Sequence, residues 1–167
     1  MKKIVIAGSI VVFIVLVVLI SSFFMDDDRL THAGHIPDNI GAYYLTNKVE
    51  GEEAKQIMNQ LHEKEVELNE AYALEYQTRQ GAYAIVWISE SSEDGVPLSL
   101  FENMKTIIET SDIYSSHSET MVSGKPVQYA FGMERDHYYF VNDDRFIFVA
   151  TFEETRERFI TNAIKIF

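Results

Sequence analysis

His32 and His35 stand three residues apart, shortly after the three aspartates Asp26–Asp28, and imidazole and carboxylate groups are ligands that divalent metals accept. On a helix this spacing would place both imidazoles on one face. However, Gly34 and Pro37 disfavour a helix, and a polar tether loses conformational freedom when it binds an ion. We therefore predict solvated side chains and no metal site, with His32 and His35 as the weak alternative.

Two other histidines lie beside acidic residues, and a histidine paired with a carboxylate can act as a general acid or base. His62 directly follows the apolar stripe of a predicted helix, where the negative end of the helix dipole favours an imidazole. His137 ends the polar run Glu134–His137, which we predict to be a hairpin turn. These local positions explain both residues without catalysis.

Aromatic residues are frequent in the predicted strands, and on one sheet face they would form a floor for a sugar or a peptide. The candidates are Tyr72, Tyr76, Tyr83, Trp87, Tyr129 and Tyr138. If the same side chains point towards helices they belong to the core, which is the interpretation that we favour. The ligand-binding residues that the sequence nominates are Tyr72, Tyr76, Trp87 and His137.

Catalytic motifs are missing from the sequence. We find no familiar nucleophile, zinc-protease or phosphate-binding motif, and no cysteine for a thiolate nucleophile or metal site. Paired carboxylates fall at predicted helix starts or in a turn: Glu52/Glu53, Glu153/Glu154 and Asp143/Asp144. We therefore predict no catalytic residues and no cofactor. The net charge of −12, from 14 basic and 26 acidic residues, also argues against binding to nucleic acid.

The N-terminus carries the most specific signal in the chain. Ile4–Phe24 contains no charged residue, and as a helix it would be about 31 Å long, enough for a bilayer core of about 30 Å. A cleaved signal peptide usually has a shorter apolar region and a small-x-small site, which Ile20 before Ser22 does not provide. We predict an uncleaved transmembrane signal-anchor helix.

Lys2 and Lys3 precede this apolar run, and the excess of basic residues on the cytoplasmic side of membrane proteins indicates its orientation. Residues 1–3 are then cytoplasmic, and residues 26–167 lie outside the cell membrane of a single-pass protein. Without the two lysines the chain keeps 12 basic and 26 acidic residues, a net charge of −14. Such a domain is repelled by anionic lipid headgroups.

Residues 25–40 are predicted to be a polar tether, and residues 41–167 one extracytoplasmic domain. Helices are indicated by apolar residues at helical spacing from Ala54 to Leu61, from Leu100 to Ile108 and from Phe159 to Phe167. Pro97 suits the start of the second helix, and Thr151 with Glu154 could form a capping box before the third.

Strands are indicated where large residues alternate or where the chain is continuously apolar. The predicted strands are 42–48, 72–76, 82–89, 127–133, 138–141 and 146–152. Residues 78–81 and 142–144 supply hairpin turns. The order β-α-β-β-α-β-β-β-α predicts an α+β domain with a mainly antiparallel sheet and helices on one face. Its first six elements match a ferredoxin-like core, although a helix-grasp arrangement would show the same order.

Four short stretches carry a resemblance: Gly51–Ala54, Leu61–His62, Ala71–Tyr76 and Val86–Ser89. They resemble a group of single-anchor surface proteins of archaea, over about a third of the chain. The resemblance implies an exported α+β domain and brings no activity with it.

The sequence therefore favours a membrane-anchored, non-catalytic module that binds or scaffolds a partner. Its expected contacts are the lipid bilayer, through Ile4–Phe24, and a protein partner at the membrane surface. Two alternatives stay open. One is a small hydrolase or isomerase that uses carboxylates with His62 or His137. The other is an accessory subunit of a membrane complex.

Overall fold

A computed structural model describes residues 35–61, 66–152 and 156–167 of the chain. The predicted membrane anchor, most of the predicted tether, His32, His62 and the pair Glu153/Glu154 lie outside these residues. No helix within the described ranges is both long enough and apolar enough to cross a bilayer.

The described residues form one eight-stranded antiparallel sheet and three helices, an α+β architecture. The strands are β1 (Asn39–Ile40), β2 (Tyr43–Glu50), β3 (Glu70–Gln77), β4 (Tyr83–Glu90), β5 (Tyr114–Val122), β6 (Lys125–Gly132), β7 (Arg135–Asn142) and β8 (Arg145–Thr151). The helices are α1 (Glu52–Leu61), α2 (Val96–Thr110) and α3 (Arg156–Ile166). The strand order across the sheet is β1-β2-β3-β4-β8-β7-β6-β5.

Helices cover both faces of this sheet, so the predicted one-sided arrangement is wrong. Helix α3 buries Phe159, Ala163 and Ile164 against one face, whereas α1 and α2 bury Ala54, Met58 and Leu100 against the other. The physical reason lies in the central strands: every residue of β8 is buried, and a strand buried on both faces needs cover on both sides.

The predicted ferredoxin-like core is not formed. In a split β-α-β unit, a third strand separates the two strands that the helix connects. Here β2 and β3, which flank α1, are direct antiparallel neighbours, with Glu50 opposite Tyr72. The hairpins that follow extend the sheet by adjacent antiparallel pairing, so the fold is a broad antiparallel sheet rather than a split unit.

Most predicted elements are confirmed, including the β3–β4 hairpin at residues 78–81 and the β7–β8 turn at Asp143-Asp144. Gly81 adopts a φ of 89° there, as a turn glycine readily does. Two strands differ from the prediction. β1 extends the sheet into the predicted tether, where Ile40 is fully buried. β5 is an edge strand whose side chains are mostly exposed, so it shows no apolar alternation.

Candidate functional site

A pocket of about 300 Å³ lies on the sheet face that α1 and α2 cover. Its walls are largely apolar and aromatic: Met58, Trp87, Met104, Ile107, Phe146 and Phe148. Two buried polar side chains, Ser89 and His137, also line it, together with Arg135 and the partly buried Tyr114. An apolar cavity with a few polar groups is the usual form of a small-molecule site, and this volume is at the small end of the range.

Sheet register builds the floor of the pocket. Trp87 of β4 lies directly opposite Phe148 of β8, and Tyr139 of β7 lies opposite the same phenylalanine. The Trp87 and Phe148 ring centroids are 5.7 Å apart, and the rings of Phe148 and Tyr139 stack with centroids 5.9 Å apart. Three neighbouring strands thus give one continuous aromatic surface beneath α2.

His137 stands on this surface, three residues into β7, and only 2% of it is exposed. The prediction that it sits in a turn is therefore wrong: the turn is Met133-Glu134, and the polar residues after it belong to the strand. The imidazole is 5.4 Å from the ring of Tyr114, edge-on, and 5.4 Å from the ring of Phe148. Aromatic rings therefore hold it on two sides.

A glycine and an irregular pairing position Tyr114 against His137. A Cβ on Gly132 would lie 2.6 Å from Cδ1 of Tyr114, so only glycine lets the ring pack there. The pairing of β5 with β6 shifts between Tyr114 and Ser116, and bulges of this kind redirect a side chain at a sheet edge. Sequence spacing gives no sign of this contact.

The imidazole of His137 is electrically neutral at physiological pH. Burial, and secondly the positive charge of Arg135, lower the pKa of His137 from 6.5 to about 4. Hydrogen bonds to the backbone carbonyls of Arg135 and Ala130 and the negative charge of Asp136 act in the opposite direction but are weaker influences. Nδ1 is buried and finds no hydrogen-bond partner in the described part of the chain. The imidazole therefore contributes a neutral polar ring to the pocket wall.

Ser89 is a second polar group of the pocket, and the sequence analysis did not single it out. Its side chain is 1% exposed, and across the described ranges its Oγ has no hydrogen-bond partner. The only available signal was a serine at the end of an apolar strand. A serine at such a position usually has no role beyond packing, so the sequence alone does not indicate the pocket.

Register keeps Ser89 and His137 apart. Ser89 pairs with Phe146, whereas His137 lies opposite Ala150, four residues further along β8. At about 3.3 Å per residue, this offset is about 13 Å along the sheet, far beyond a hydrogen bond. The two side chains therefore do not form a serine–histidine catalytic pair, and they mark two ends of an elongated pocket.

One end of the pocket is closed and the other opens at the β6–β7 turn. Fully buried Met58 and Ser89 lie at the closed end, whereas Met133 of the turn is 59% exposed. Met133 and Glu134 have φ angles of 53° and 59°, in the left-handed region that disfavours such side chains. Backbone strain is thus concentrated at the mouth of the pocket.

Arg135 stands next to this turn and lines the pocket. Its guanidinium carbon is 5.3 Å from the centroid of the Phe152 ring, a cation–π contact. No carboxylate among the described residues forms an ion pair with it. The mouth of the pocket therefore carries a guanidinium that an aromatic ring positions, with Glu134 as its neighbour in the chain but not as its ion-pair partner.

The four nominated ligand-binding residues divide between the two faces of the sheet. Trp87 and His137 line the pocket, whereas Tyr72 and Tyr76 are buried in the core beneath α3. The hydroxyl of Tyr76 donates a hydrogen bond to the carbonyl of Pro37, 2.9 Å away. A single aromatic floor made of all four residues is thus not formed.

The weak metal alternative falls only partly within the structure. His35 is exposed and in no regular element, and His32 is outside the described residues. Across the ranges that the structure covers, no group of three or more His, Cys, Asp or Glu side chains is arranged to hold a metal ion.

Glu90 and Arg145 form a buried ion pair on the opposite face from the pocket. Oε2 of Glu90 accepts a hydrogen bond from Nε of Arg145 at 3.1 Å and lies 3.0 Å from Nη2. Burial raises the pKa of Glu90, and the guanidinium only partly offsets this effect. The pair joins the ends of β4 and β8, where Glu90 lies directly opposite Arg145, and neither residue lines the pocket.

Comparisons of this chain with protein-family models, with curated proteins and with solved structures found no match.

Proposed function

We propose that this protein is a membrane-anchored extracytoplasmic module that binds a small ligand without transforming it. The observation that carries the proposal is the pocket beneath α2, where apolar and aromatic walls meet the polar side chains of Tyr114, Arg135 and His137. An apolar cavity with a few polar groups is the usual form of a small-molecule site.

Binding is a better interpretation of the pocket than catalysis. A general base works best when its pKa is near the working pH, and His137, with a pKa of about 4, is a weak base at neutral pH. Ser89 is about 13 Å along the sheet from His137, so the histidine cannot activate it. The hydrolase or isomerase alternative would need groups beyond this pair.

The proposal includes the location of the domain outside the cell membrane. Ile4–Phe24 is a charge-free apolar run of bilayer length, and Lys2 and Lys3 before it favour a cytoplasmic N-terminus. The acidic domain would then stand away from the outer lipid surface, which leaves the pocket open to solutes outside the cell.

The chain has no cysteine, which makes its orientation directly measurable. We would introduce Ser116→Cys, at an exposed position of β5, or insert a cysteine after Met1, which keeps Lys2 and Lys3, and treat intact cells with a membrane-impermeant maleimide. Labelling of Ser116→Cys alone, with the N-terminal cysteine labelled only after permeabilisation, is expected. Labelling of the N-terminal cysteine alone in intact cells would contradict the proposed orientation.

Binding without turnover can be tested with the full-length protein in dodecyl maltoside micelles. Trp87 is the only tryptophan and lines the pocket, so its fluorescence reports on the site. Fractions of a small-molecule extract that change this fluorescence would be incubated with the protein and analysed by mass spectrometry. Recovery of the active compound unchanged supports a binding module, whereas its conversion to a product would establish an enzyme.

A further inference from the structure

Arg135 is the only charged side chain among the residues that line the pocket. The chain as a whole has a net charge of −12, yet Arg135 lies at the mouth with no carboxylate partner in the described ranges. Its guanidinium is held over Phe152, which leaves its N–H donors available. A site with this charge favours an anion over a neutral or cationic molecule.

Behind Arg135, the pocket offers two polar rings and then only apolar walls before Ser89. His137 is buried, and the ring of Tyr114 packs edge-on against it. Beyond these two rings lie Trp87, Phe148 and Met104. The order along the pocket is therefore a cation, two polar rings and an apolar channel, which is the order of groups that an amphiphile with an anionic head needs.

We propose that this pocket binds a monocarboxylate with a short apolar tail, its carboxylate beside Arg135 and His137 and its tail over Trp87 and Phe148. This inference rests on the proposed function, since it names the ligand class of the same site. A planar carboxylate matches the forked donors of a guanidinium. The methionines Met58 and Met104 can adjust to tails of different shape because their side chains are flexible.

The size of the pocket restricts the tail. The pocket has a volume of about 300 Å³ and extends along about 13 Å of the sheet, so it is a narrow channel. Such a channel suits one alkyl chain or one ring. Branched lipids with two chains do not fit such a volume. His137 is neutral, so Arg135 supplies the only positive charge among the residues that line the pocket.

The test uses hexanoate, 1-hexanol and hexylammonium, which share one tail and differ in the charge of the head group. Full-length protein in dodecyl maltoside is titrated with each compound, and Trp87 fluorescence is followed. Hexanoate is expected to bind about tenfold more tightly than 1-hexanol, because charged hydrogen bonds are stronger than neutral ones. Hexylammonium is expected to bind most weakly.

Arg135→Gln should remove the preference for hexanoate, and Arg135→Lys should restore most of it. Arg79→Gln is the matched control, because Arg79 also lies over an aromatic ring, that of Tyr44, but does not line the pocket. It should leave the preference unchanged. Partitioning of each compound into the micelles is measured without protein, and affinities refer to the free concentration, because 1-hexanol enters the detergent more readily than hexanoate. Melting curves verify that each variant is folded.

Four results would overturn parts of the proposal in different ways. Equal affinity for hexanoate and 1-hexanol would overturn the carboxylate assignment and leave a binding pocket. A preference that persists in Arg135→Gln but disappears in Arg79→Gln would place the anion elsewhere. If none of the three compounds perturbs Trp87 while an extract fraction does, the ligand class is wrong; if nothing does, the proposed function fails as well.

Discussion

Trp87 and Phe148 are direct cross-strand neighbours on β4 and β8, with ring centroids 5.7 Å apart and an angle of 60° between the rings. This pair belongs to the hydrophobic core beneath α1 and α2 and also forms the floor of the pocket. The indole is half-buried, because helix α2 covers the rest of the cluster but leaves the pocket above it.

Trp87→Ala should destabilise the protein by about 3 kcal/mol, at the lower end of values for a tryptophan truncation, because one side of the ring already faces a cavity. Thermal melting followed by circular dichroism measures the effect. Trp87→Phe keeps the contact with Phe148 and should lose less than half as much. A change below about 1 kcal/mol for the alanine variant, as is usual for surface substitutions, would show that the indole does not support the core.

Glu90→Gln should destabilise the protein by about 3–5 kcal/mol, because it leaves the charge of Arg145 buried without compensation. The side chains of the pair are 9% and 1% exposed, so solvent cannot replace the lost partner. The double variant Glu90→Leu/Arg145→Met removes both charges and should be more stable than Glu90→Gln. Denaturant unfolding of the three proteins compares them, and equal stabilities of single and double variants would contradict the expectation.

Acidification should destabilise the protein through His137. The pKa of His137 is about 4 in the folded protein and 6.5 in its ordinary state, so between these values the unfolded chain binds a proton that the folded one does not. The contribution of His137 to the free energy of unfolding is therefore complete above pH 6.5 and is lost as the pH falls towards 4. From pH 7 to pH 5 this residue alone should cost about 2 kcal/mol.

The measurement for His137 is denaturant unfolding at pH 7 and pH 5, with His137→Gln as the reference. Glutamine cannot take up a proton, so its variant should lose about 2 kcal/mol less than the natural protein over this interval. All other titrating groups are common to both proteins and cancel. Identical pH dependence of the two would show that folding does not change the pKa of this imidazole.

Replacing the strained turn Met133-Glu134 by Asn-Gly should stabilise the protein by about 1–2 kcal/mol, because both residues have positive φ angles and Asn-Gly suits that turn type. The same change removes Met133 from the mouth of the pocket and should weaken ligand binding. Ser123→Asn is the control, since the turn Ser123-Gly124 already has its glycine. Lower stability of the Asn-Gly variant would contradict the turn argument.

The full-length protein should remain in membranes after alkaline extraction, because Ile4–Phe24 is long and apolar enough to span a bilayer. Introducing Val12→Arg and Leu16→Arg together should release it, since each central arginine opposes insertion by about 3 kcal/mol. Immunodetection of the pellet and the supernatant distinguishes these outcomes. Recovery of the intact natural chain in the supernatant would refute the anchor.

Local patterns in the sequence determine much of the fold. The helix around Met58 and the helix around Met104 follow from apolar spacing, because a helix buries one stripe. The central position of β4 follows from its continuous apolar run, since only a strand covered on both faces avoids polar residues. The edge strand β5 has no such pattern, because a strand exposed on both faces needs no apolar side chains.

The pocket, in contrast, depends on tertiary structure. Trp87 and His137 are fifty residues apart in sequence, and they meet only because β8 pairs with both of their strands. The sequence nominated both residues, yet it grouped them with Tyr72 and Tyr76, which alternation and pairing place on the opposite face. Which face a strand residue occupies is a local property, but which residues share a cavity is decided by the register between distant strands.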